Sequence, residues 1–191
     1  KIIAVSKTFK IDKILPLINY GHVNFGENKI QEALDKWSEI KSNNSNIKLH
    51  MIGKLQTNKV KFAVKLFDYI HSVDSERLAK KIADEQKKVN KKIKIFIQVN
   101  IGNEDQKSGI NKNIVADLVS YCKIINLDVI GLMCIPPADD VSSAYFNEMK
   151  LLNKSFDLPE LSMGMSSDYL EASKNSASYL RIGSRIFGKR L

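Results

Sequence analysis

The sequence is poor in cysteine and arginine, and it contains no long apolar run. Its two cysteines, Cys122 and Cys134, are too few for a disulfide framework or a four-cysteine metal site, so we expect buried, reduced thiols in a cytoplasmic protein. No stretch approaches about 18 consecutive apolar residues, which excludes a transmembrane helix. The three histidines lack metal-type spacing, and we predict no metal. No secretory leader opens the chain. Because the first residue is Lys1 and not Met, we expect a trimmed N-terminus.

Arginine is scarce although the chain is basic, with 30 Lys and Arg against 21 Asp and Glu and a net charge of +9. Only 4 of the basic residues are arginine, the residue that makes bidentate contacts to bases and phosphates. The lysines are scattered among acidic residues, and we predict neither a nucleic-acid nor a membrane partner. Three of the arginines, Arg181, Arg185 and Arg190, lie in the last 11 residues, which marks this end of the chain as informative about function.

Short runs of strand-forming residues alternate along the whole chain with longer stretches of helical periodicity. Strands are predicted at residues 2–5, 23–25, 48–52, 69–72, 93–100, 129–133, 161–162 and 179–182. Helices are predicted at residues 11–20, 28–42, 56–67, 75–90, 111–124, 142–156 and 168–177, with Ser75 as the N-cap of the fourth. Residues 104–107 are predicted to form an exposed loop at the rim of the site.

Eight strands alternating with helices favour a closed (β/α)₈ TIM barrel over a doubly wound open sheet. A doubly wound dinucleotide fold usually has glycines after its first strand, whereas residues 6–9 contain none. No linker or repeat divides the chain, so we predict one domain over residues 1–191 and, since a closed barrel needs no partner, a monomer. Only residues 183–191 follow the last strand, and we expect that a helix preceding the first strand is missing from this chain.

Polar residues at the predicted ends of the first, seventh and eighth strands indicate a phosphate-bearing cofactor. Lys7 ends the first strand, and a desolvated lysine can form a Schiff base. Ser166 and Ser167 precede a helix, and Gly183 and Ser184 follow the eighth strand, where barrels often bind phosphate. A lysine with two such loops fits covalently held pyridoxal 5′-phosphate (PLP). A solvated lysine and capping serines would explain the same residues structurally.

These residues lie in segments by which the chain resembles the pyridoxal-phosphate homeostasis proteins, relatives of the N-terminal barrel of alanine racemase. The matching segments are AVSKT at 4–8, FGEN at 25–28, HMIG at 50–53, KSG at 107–109, GLM at 131–133, LSMGMS at 161–166 and RIGS at 181–184. They are specific only when taken together. The resemblance implies an alanine racemase N-terminal domain-like TIM barrel that lacks its usual N-terminal helix in this chain.

The resemblance also implies a role for each candidate residue. Lys7 would be the Schiff-base lysine, Arg181 would face the pyridine nitrogen and Asn28 would line the cofactor. His50 and Asn58 are expected either to line the wall nearby or to be structural. The residues expected to hold the phosphate are Ser166, Gly183 and Ser184, with Ser167 as a weaker candidate.

A permanent cation at the pyridine nitrogen would make the ring a weak electron sink. Racemisation also needs a second base on the opposite face of the substrate, which in alanine racemase comes from the partner subunit. We therefore expect PLP binding without efficient catalysis. The resemblance implies that the protein buffers PLP, the active form of vitamin B6, and supplies it to PLP-dependent apoenzymes.

Three alternatives remain open. A small PLP-dependent amino-acid racemase on the same barrel would need a second acid or base, for which Tyr69, His71 and His50 are candidates. A barrel that binds another phosphate compound would leave Lys7 as a general base or a bystander. An RNA- or membrane-surface protein would need a basic stripe with interleaved aromatic residues, which make up only 8% of this chain.

Overall fold

The computed structural model describes residues 1–104, 106–137 and 142–188, and it confirms the predicted (β/α)₈ barrel. Parallel strands pair in chain order, and β1 pairs with β8 to close the sheet. The strands are β1 (Ile2–Val5), β2 (Asn24–Glu27), β3 (Lys48–Met51), β4 (Tyr69–Val73), β5 (Lys94–Val99), β6 (Asp128–Cys134), β7 (Glu160–Met165) and β8 (Tyr179–Ile182). Asp105 of the predicted rim loop and Arg190 of the arginine cluster lie outside the described residues.

Helices connect each strand to the next, as parallel pairing of neighbouring strands requires. They are α1 (Ile11–Asn19), α2 (Ile30–Asn43), α3 (Val60–Leu66), α4 (Glu76–Lys88), α5 (Val115–Ile124), α6 (Ser142–Ser155) and α7 (Tyr169–Lys174), with the short α8 (Ser184–Phe187) after β8. Single 3₁₀ turns, Thr57–Lys59 and Lys112–Ile114, precede α3 and α5. The predicted N-cap of α4 is confirmed, because the Ser75 hydroxyl accepts from Leu78 N–H at 3.3 Å.

The predicted boundaries are wrong at β2 and β7. The second strand was predicted to end at residue 25, before Gly26, but β2 continues through Gly26 to Glu27. A Cβ at Gly26 would lie 2.9 Å from Ile3 Cγ2, so this glycine serves close packing and does not end the strand. β7 has six residues, whereas only two were predicted. The prediction was too short because the sequence ELSMGM contains none of the β-branched residues that signal a strand.

Two apolar layers stabilise the barrel. The larger lies between the sheet and the helices and contains the fully buried Trp37 and Cys122, while the smaller lies inside the barrel around Phe96 and Tyr179. Each large side chain buried in this way contributes about 1.5–3 kcal/mol. Cys134 is also buried, and burial raises the pKa of its thiol to about 12. Across the described residues, no helix is both long and apolar enough to cross a membrane.

Candidate functional site

A cavity of about 870 Å³ lies among the loops that follow the carboxyl ends of the strands. It is lined by all seven residues predicted from the sequence to bind a cofactor, namely Lys7, Asn28, Ser166, Ser167, Arg181, Gly183 and Ser184. The volume is typical of small-molecule sites, and this end of a (β/α)₈ barrel carries the active site in enzymes with the fold. The closed barrel therefore brings residues from both ends of the chain to one place, while their individual roles stay predictions.

Lys7 lies two residues after the end of β1, in a tight turn formed by residues 6–9. Phe9 N–H donates to the Ser6 carbonyl oxygen at 3.2 Å, and Ser6 N–H donates to the Gly26 carbonyl oxygen at 3.0 Å. Thr8 has φ of 68°, in the left-handed region that β-branched residues rarely adopt. The backbone around Lys7 is therefore held in one unusual conformation, and its side chain lines the cavity.

The loops after β7 and β8 meet on one side of the cavity. Gly183 N–H donates to Ser166 Oγ at 3.2 Å, and Arg185 Nε donates to the Ser166 carbonyl oxygen at 3.1 Å. Met165 N–H donates to Asp168 Oδ1 at 2.6 Å, which orders the turn that carries the two predicted serines. Hydroxyl groups beside a guanidinium form a surface that suits an anion.

Arg181 projects from β8 and is almost completely buried, with 4% of its surface exposed. Its Nη1 donates to Ser162 Oγ at 2.8 Å, and its Nη2 donates to the Cys134 carbonyl oxygen at 2.8 Å. Burial lowers the pKa of the guanidinium, which nevertheless stays a cation at neutral pH. Within the described parts of the chain, no carboxylate forms an ion pair with Arg181, although buried cations are normally paired.

A chain of hydrogen bonds continues from Arg181 through the barrel interior. Ser162 Oγ lies 2.9 Å from His71 Nδ1, and His71 Nε2 lies 3.0 Å from His50 Nδ1. His50 Nε2 lies 3.0 Å from Asn24 Oδ1. Arginine can only donate and an amide oxygen can only accept, so with both imidazoles neutral every link is satisfied when each group donates toward Asn24.

This direction requires both imidazoles to be neutral. Burial lowers the pKa of His50 and of His71 well below the usual value, and neighbouring positive charge lowers it further. The two histidines therefore connect Arg181 to the far end of the barrel without adding charge. Their positions and tautomers fix the Ser162 hydroxyl that accepts from Arg181.

The candidates for a second catalytic base lie within this interior chain of hydrogen bonds or stack against it. His50 and His71 are fully buried, and Tyr69 stacks on His50 with a ring-centroid distance of 4.2 Å. None of these three residues lines the cavity. His50 is thus structural and does not form the cavity wall, and Asn58 lies elsewhere, in a groove with Arg77.

Asn28 carries an amide oxygen whose hydrogen-bonding capacity the described residues leave unused. Its Oδ1 is buried and accepts no hydrogen bond from the described residues. A Cβ at Gly53 would lie 2.7 Å from Asn28 Cβ, so the loop after β3 can approach only because it has glycine there. A buried amide oxygen that lacks a donor indicates a position where a bound molecule donates.

Three residues of the cavity wall, Lys54, Gln98 and Arg185, were not predicted from the sequence as site residues. Gln106 and Lys107 also line the cavity, as expected for the predicted rim loop. Gln98 could have been found as a polar residue in an otherwise apolar strand, whereas Lys54 resembles every other exposed lysine of the chain. In the parts of the chain that the structure describes, no group of three or more His, Cys, Asp and Glu residues could hold a metal ion.

The chain is similar over its full length to proteins of one family. The family model described as "Alanine racemase, N-terminal domain" matches residues 1–190. "Pyridoxal phosphate homeostasis protein" of Synechocystis sp. is 37% identical over 201 residues, which cover 100% of this chain and 92% of the relative. The protein of the same name from Aquifex aeolicus is 36% identical over 201 residues, which cover 100% of this chain and 87% of the relative.

Solved structures agree with this similarity. PipY of Synechococcus elongatus PCC7942, solved with PLP bound, superposes with a TM-score of 0.91 at 32% identity, and the match covers 98% of this chain and 92% of PipY. Alanine racemase of Clostridium difficile 630 gives a TM-score of 0.78 at 17% identity and covers 100% of this chain and 52% of the racemase. This second likeness concerns the fold alone.

Proposed function

Because this chain belongs to the alanine racemase N-terminal domain family, among the pyridoxal phosphate homeostasis proteins, we propose that it binds PLP and serves PLP homeostasis. The observation that carries the proposal is the cavity itself, in which Lys7, Arg181 and the hydroxyls of the β7 and β8 loops lie together. The PLP-bound structure of PipY supports the choice of cofactor. The protein would buffer the reactive aldehyde and supply it to apoenzymes.

The chemistry of the cavity fits PLP. Five cationic side chains line it, and among the described residues no Asp or Glu does; the cations are Lys7, Lys54, Lys107, Arg181 and Arg185. A phosphate monoester carries about −1.5 to −2 charge at neutral pH, and arginine and serine bind it through charge-assisted hydrogen bonds. The buried Asn28 oxygen accepts no hydrogen bond from the described residues, which leaves it for a donor group of a bound molecule. The phosphate would be held by Ser166, Ser167, Gly183 and Ser184.

Lys7 is the best candidate for the covalent anchor. When bound, PLP supplies an aldehyde that a lysine amine can trap as a Schiff base. Lys107 belongs to the rim loop after β5, and Lys54 is an exposed side chain on the loop after β3. Lys7, in contrast, extends from a turn whose backbone is fixed by hydrogen bonds, which favours a defined approach to the aldehyde.

We assign Arg181 to the pyridine nitrogen. Two of its five N–H groups already donate inside the barrel, which fixes the guanidinium plane and leaves other N–H groups for a ring acceptor. A permanent cation opposes protonation of the ring nitrogen, so the bound cofactor would be a weak electron sink. This arrangement favours storage and release of PLP over turnover of amino acids.

The anchor is tested by the visible absorbance of the purified protein with added PLP, before and after borohydride, followed by peptide mass mapping. We expect a yellow Schiff-base band that borohydride bleaches and a mass increase at Lys7. Lys7→Ala should lose the band while its unfolding curve stays cooperative, and Lys54→Ala is the matched control that keeps it. A wild-type protein that stays colourless with PLP would overturn the proposal.

Storage is tested separately from binding. Loaded protein is mixed with a PLP-dependent apoenzyme, and the recovered enzyme activity is compared with that obtained from the same amount of free PLP. Amino-acid racemisation is measured in parallel. We expect PLP transfer with little racemisation, whereas multiple turnovers of an amino acid would favour the racemase alternative.

A further inference from the structure

A cluster of three charged side chains, two of them buried, lies beside the turn that carries Lys7. Lys36 Nζ donates to Glu27 Oε1 at 3.0 Å and to Glu32 Oε1 at 3.0 Å. Glu27 is fully buried, and Lys36 has only 9% of its side chain exposed. Trp37 Nε1 also donates to Glu27 Oε1, at 2.9 Å. The cluster joins β2 to α2 and contains two carboxylates for one ammonium group.

Every member of this cluster contacts the backbone or side chain next to Lys7. The Ser6 hydroxyl donates to Glu27 Oε1 at 2.7 Å, and Lys36 Nζ donates to the Ser6 carbonyl oxygen at 2.9 Å. On the other side of Lys7, Thr8 N–H donates to Glu32 Oε1 at 2.5 Å. Glu27 and Lys36 thus hold the residue before Lys7, and Glu32 holds the residue after it.

The conformation that the cluster holds is an unfavourable one. A turn closed by Phe9 N–H and the Ser6 carbonyl, with a positive φ at its third residue, normally has glycine there. This chain has Thr8, a β-branched residue at φ 68°. The hydrogen bond from Thr8 N–H to Glu32 is the direct restraint on that residue. Such strain persists only where the surroundings over-determine it, and it concentrates at functional sites.

Stability alone is a poor explanation for the cluster. The attraction within a buried ion pair is largely offset by the free energy of removing both charges from water. Replacing such a pair with apolar side chains of similar volume is often neutral or stabilising. The second oxygen of Glu27 is buried and accepts no hydrogen bond from the described residues, which adds a further cost. A charged cluster that is costly and touches both neighbours of Lys7 points to a role at Lys7.

We propose that Lys36, Glu27 and Glu32 are positioning residues that hold the 6–9 turn so that Lys7 Nζ reaches the aldehyde carbon of PLP. The inference rests on the proposed function of Lys7. In the reaction the Lys7 nitrogen forms a C=N bond to the aldehyde carbon, the C=O bond breaks, and the aldehyde oxygen leaves as water with the two protons of the neutral amine. The cluster touches none of the reacting atoms and acts through the backbone of residues 6–9.

The experiment measures two properties of each variant. Stopped-flow absorbance gives the rate constant for Schiff-base formation with PLP, and calorimetry gives the Kd of pyridoxine 5′-phosphate, which has the ring and phosphate but no aldehyde. Glu32→Ala is the main variant because Glu32 is partly exposed and the protein should still fold. Glu39→Ala is the control, since Glu39 is an exposed residue of the same helix. Glu32→Ala combined with Thr8→Gly tests rescue.

We expect Glu32→Ala to slow Schiff-base formation by about tenfold to 100-fold, the range produced by displacements near 1 Å. The Kd of pyridoxine 5′-phosphate should stay within about twofold, because the phosphate loops are untouched. Adding Thr8→Gly should recover most of the rate, since glycine adopts positive φ without a restraint. Glu39→Ala should match the wild type in both measurements.

Other outcomes overturn the inference. If Glu32→Ala reacts at the wild-type rate, the cluster does not position Lys7. If the rate constant falls and the Kd of pyridoxine 5′-phosphate rises to the same extent, or if Thr8→Gly gives no rescue, the cluster supports the fold in general and does not position Lys7. A wild-type protein that binds pyridoxine 5′-phosphate but forms no bond with PLP would instead refute the assignment of Lys7, so the two failures are distinguishable.

Discussion

Mild acid should destabilise this barrel because of the His50–His71 pair. Both rings are fully buried and uncharged, and burial together with neighbouring positive charge lowers their pKa well below the usual value. In the unfolded chain each ring has a pKa of about 6.5. Between that value and the lower folded values, the unfolded state binds more protons than the folded state. The two neutral rings therefore contribute stability above pH 6.5, and this contribution is lost as the pH falls below 6.5.

The size of the effect follows from linkage. Each histidine changes the unfolding free energy by up to about 1.4 kcal/mol per pH unit in this window. From pH 6.5 to 5.5 the loss is about 1 kcal/mol per ring, or about 2 kcal/mol for the pair. That is a large share of the roughly 5–15 kcal/mol by which domains are stable. Carboxyl groups of the unfolded chain have pKa values near 4, which lie below this window.

Urea unfolding followed by circular dichroism at half-unit steps from pH 7.5 to 5.5 measures this loss. His71→Gln keeps a polar side chain in the network but removes one titrating group. The slope of its unfolding free energy against pH should therefore be about half that of the wild type. His50→Gln should behave in the same way. If the wild type and both variants show equal slopes, the buried histidines are not the source of the acid sensitivity.

Substitutions at the site and in β7 should have separable effects. Ser166→Ala should weaken PLP binding by about 1 kcal/mol or more by calorimetry, and an unchanged Kd would exclude Ser166 from the phosphate site. Arg181→Ala should alter the PLP absorbance band more than the Kd, and it should lower stability by about 1–3 kcal/mol because Ser162 and the Cys134 carbonyl lose their donor. The opposite pattern would contradict the pyridine assignment. Gly164→Ala should destabilise by about 1–3 kcal/mol, since φ is 89° and the new Cβ would lie 2.5 Å from Ala172 Cβ. Gly188→Ala has nearly the same φ in open space, so an equal loss there would show that the clash contributes nothing.

Much of the fold and of the cavity could be predicted because the information is local. Periodicity switches from two to 3.6 along the chain, and eight such alternations leave few closed topologies. Once the strands are parallel and in order, every residue just after a strand belongs to the same end of the barrel. Lys7, Asn28, Ser166 and Gly183 could therefore be assigned to one cavity without knowledge of any contact.

The boundaries that failed have local causes as well. β7 contains no β-branched residue, so its propensity is low although both its neighbours pair with it. Gly26 suggests a strand end, but tight packing against Ile3 is what requires glycine at that position. In both cases pairing and packing in the closed sheet outweigh the preference of the residue itself.

Residue patterns alone were enough to predict the barrel, the end of the barrel at which the site lies, and the residue types at that end. The surroundings of those residues became known only from the folded chain. The contact between His71 and Ser162 joins residues 91 positions apart, and Lys36 meets the Ser6 carbonyl across 30 positions. Such contacts depend on strand register and on which side chains face inward when the sheet closes. Neither can be derived from periodicity, because a shift of one residue reverses the face of every side chain in a strand.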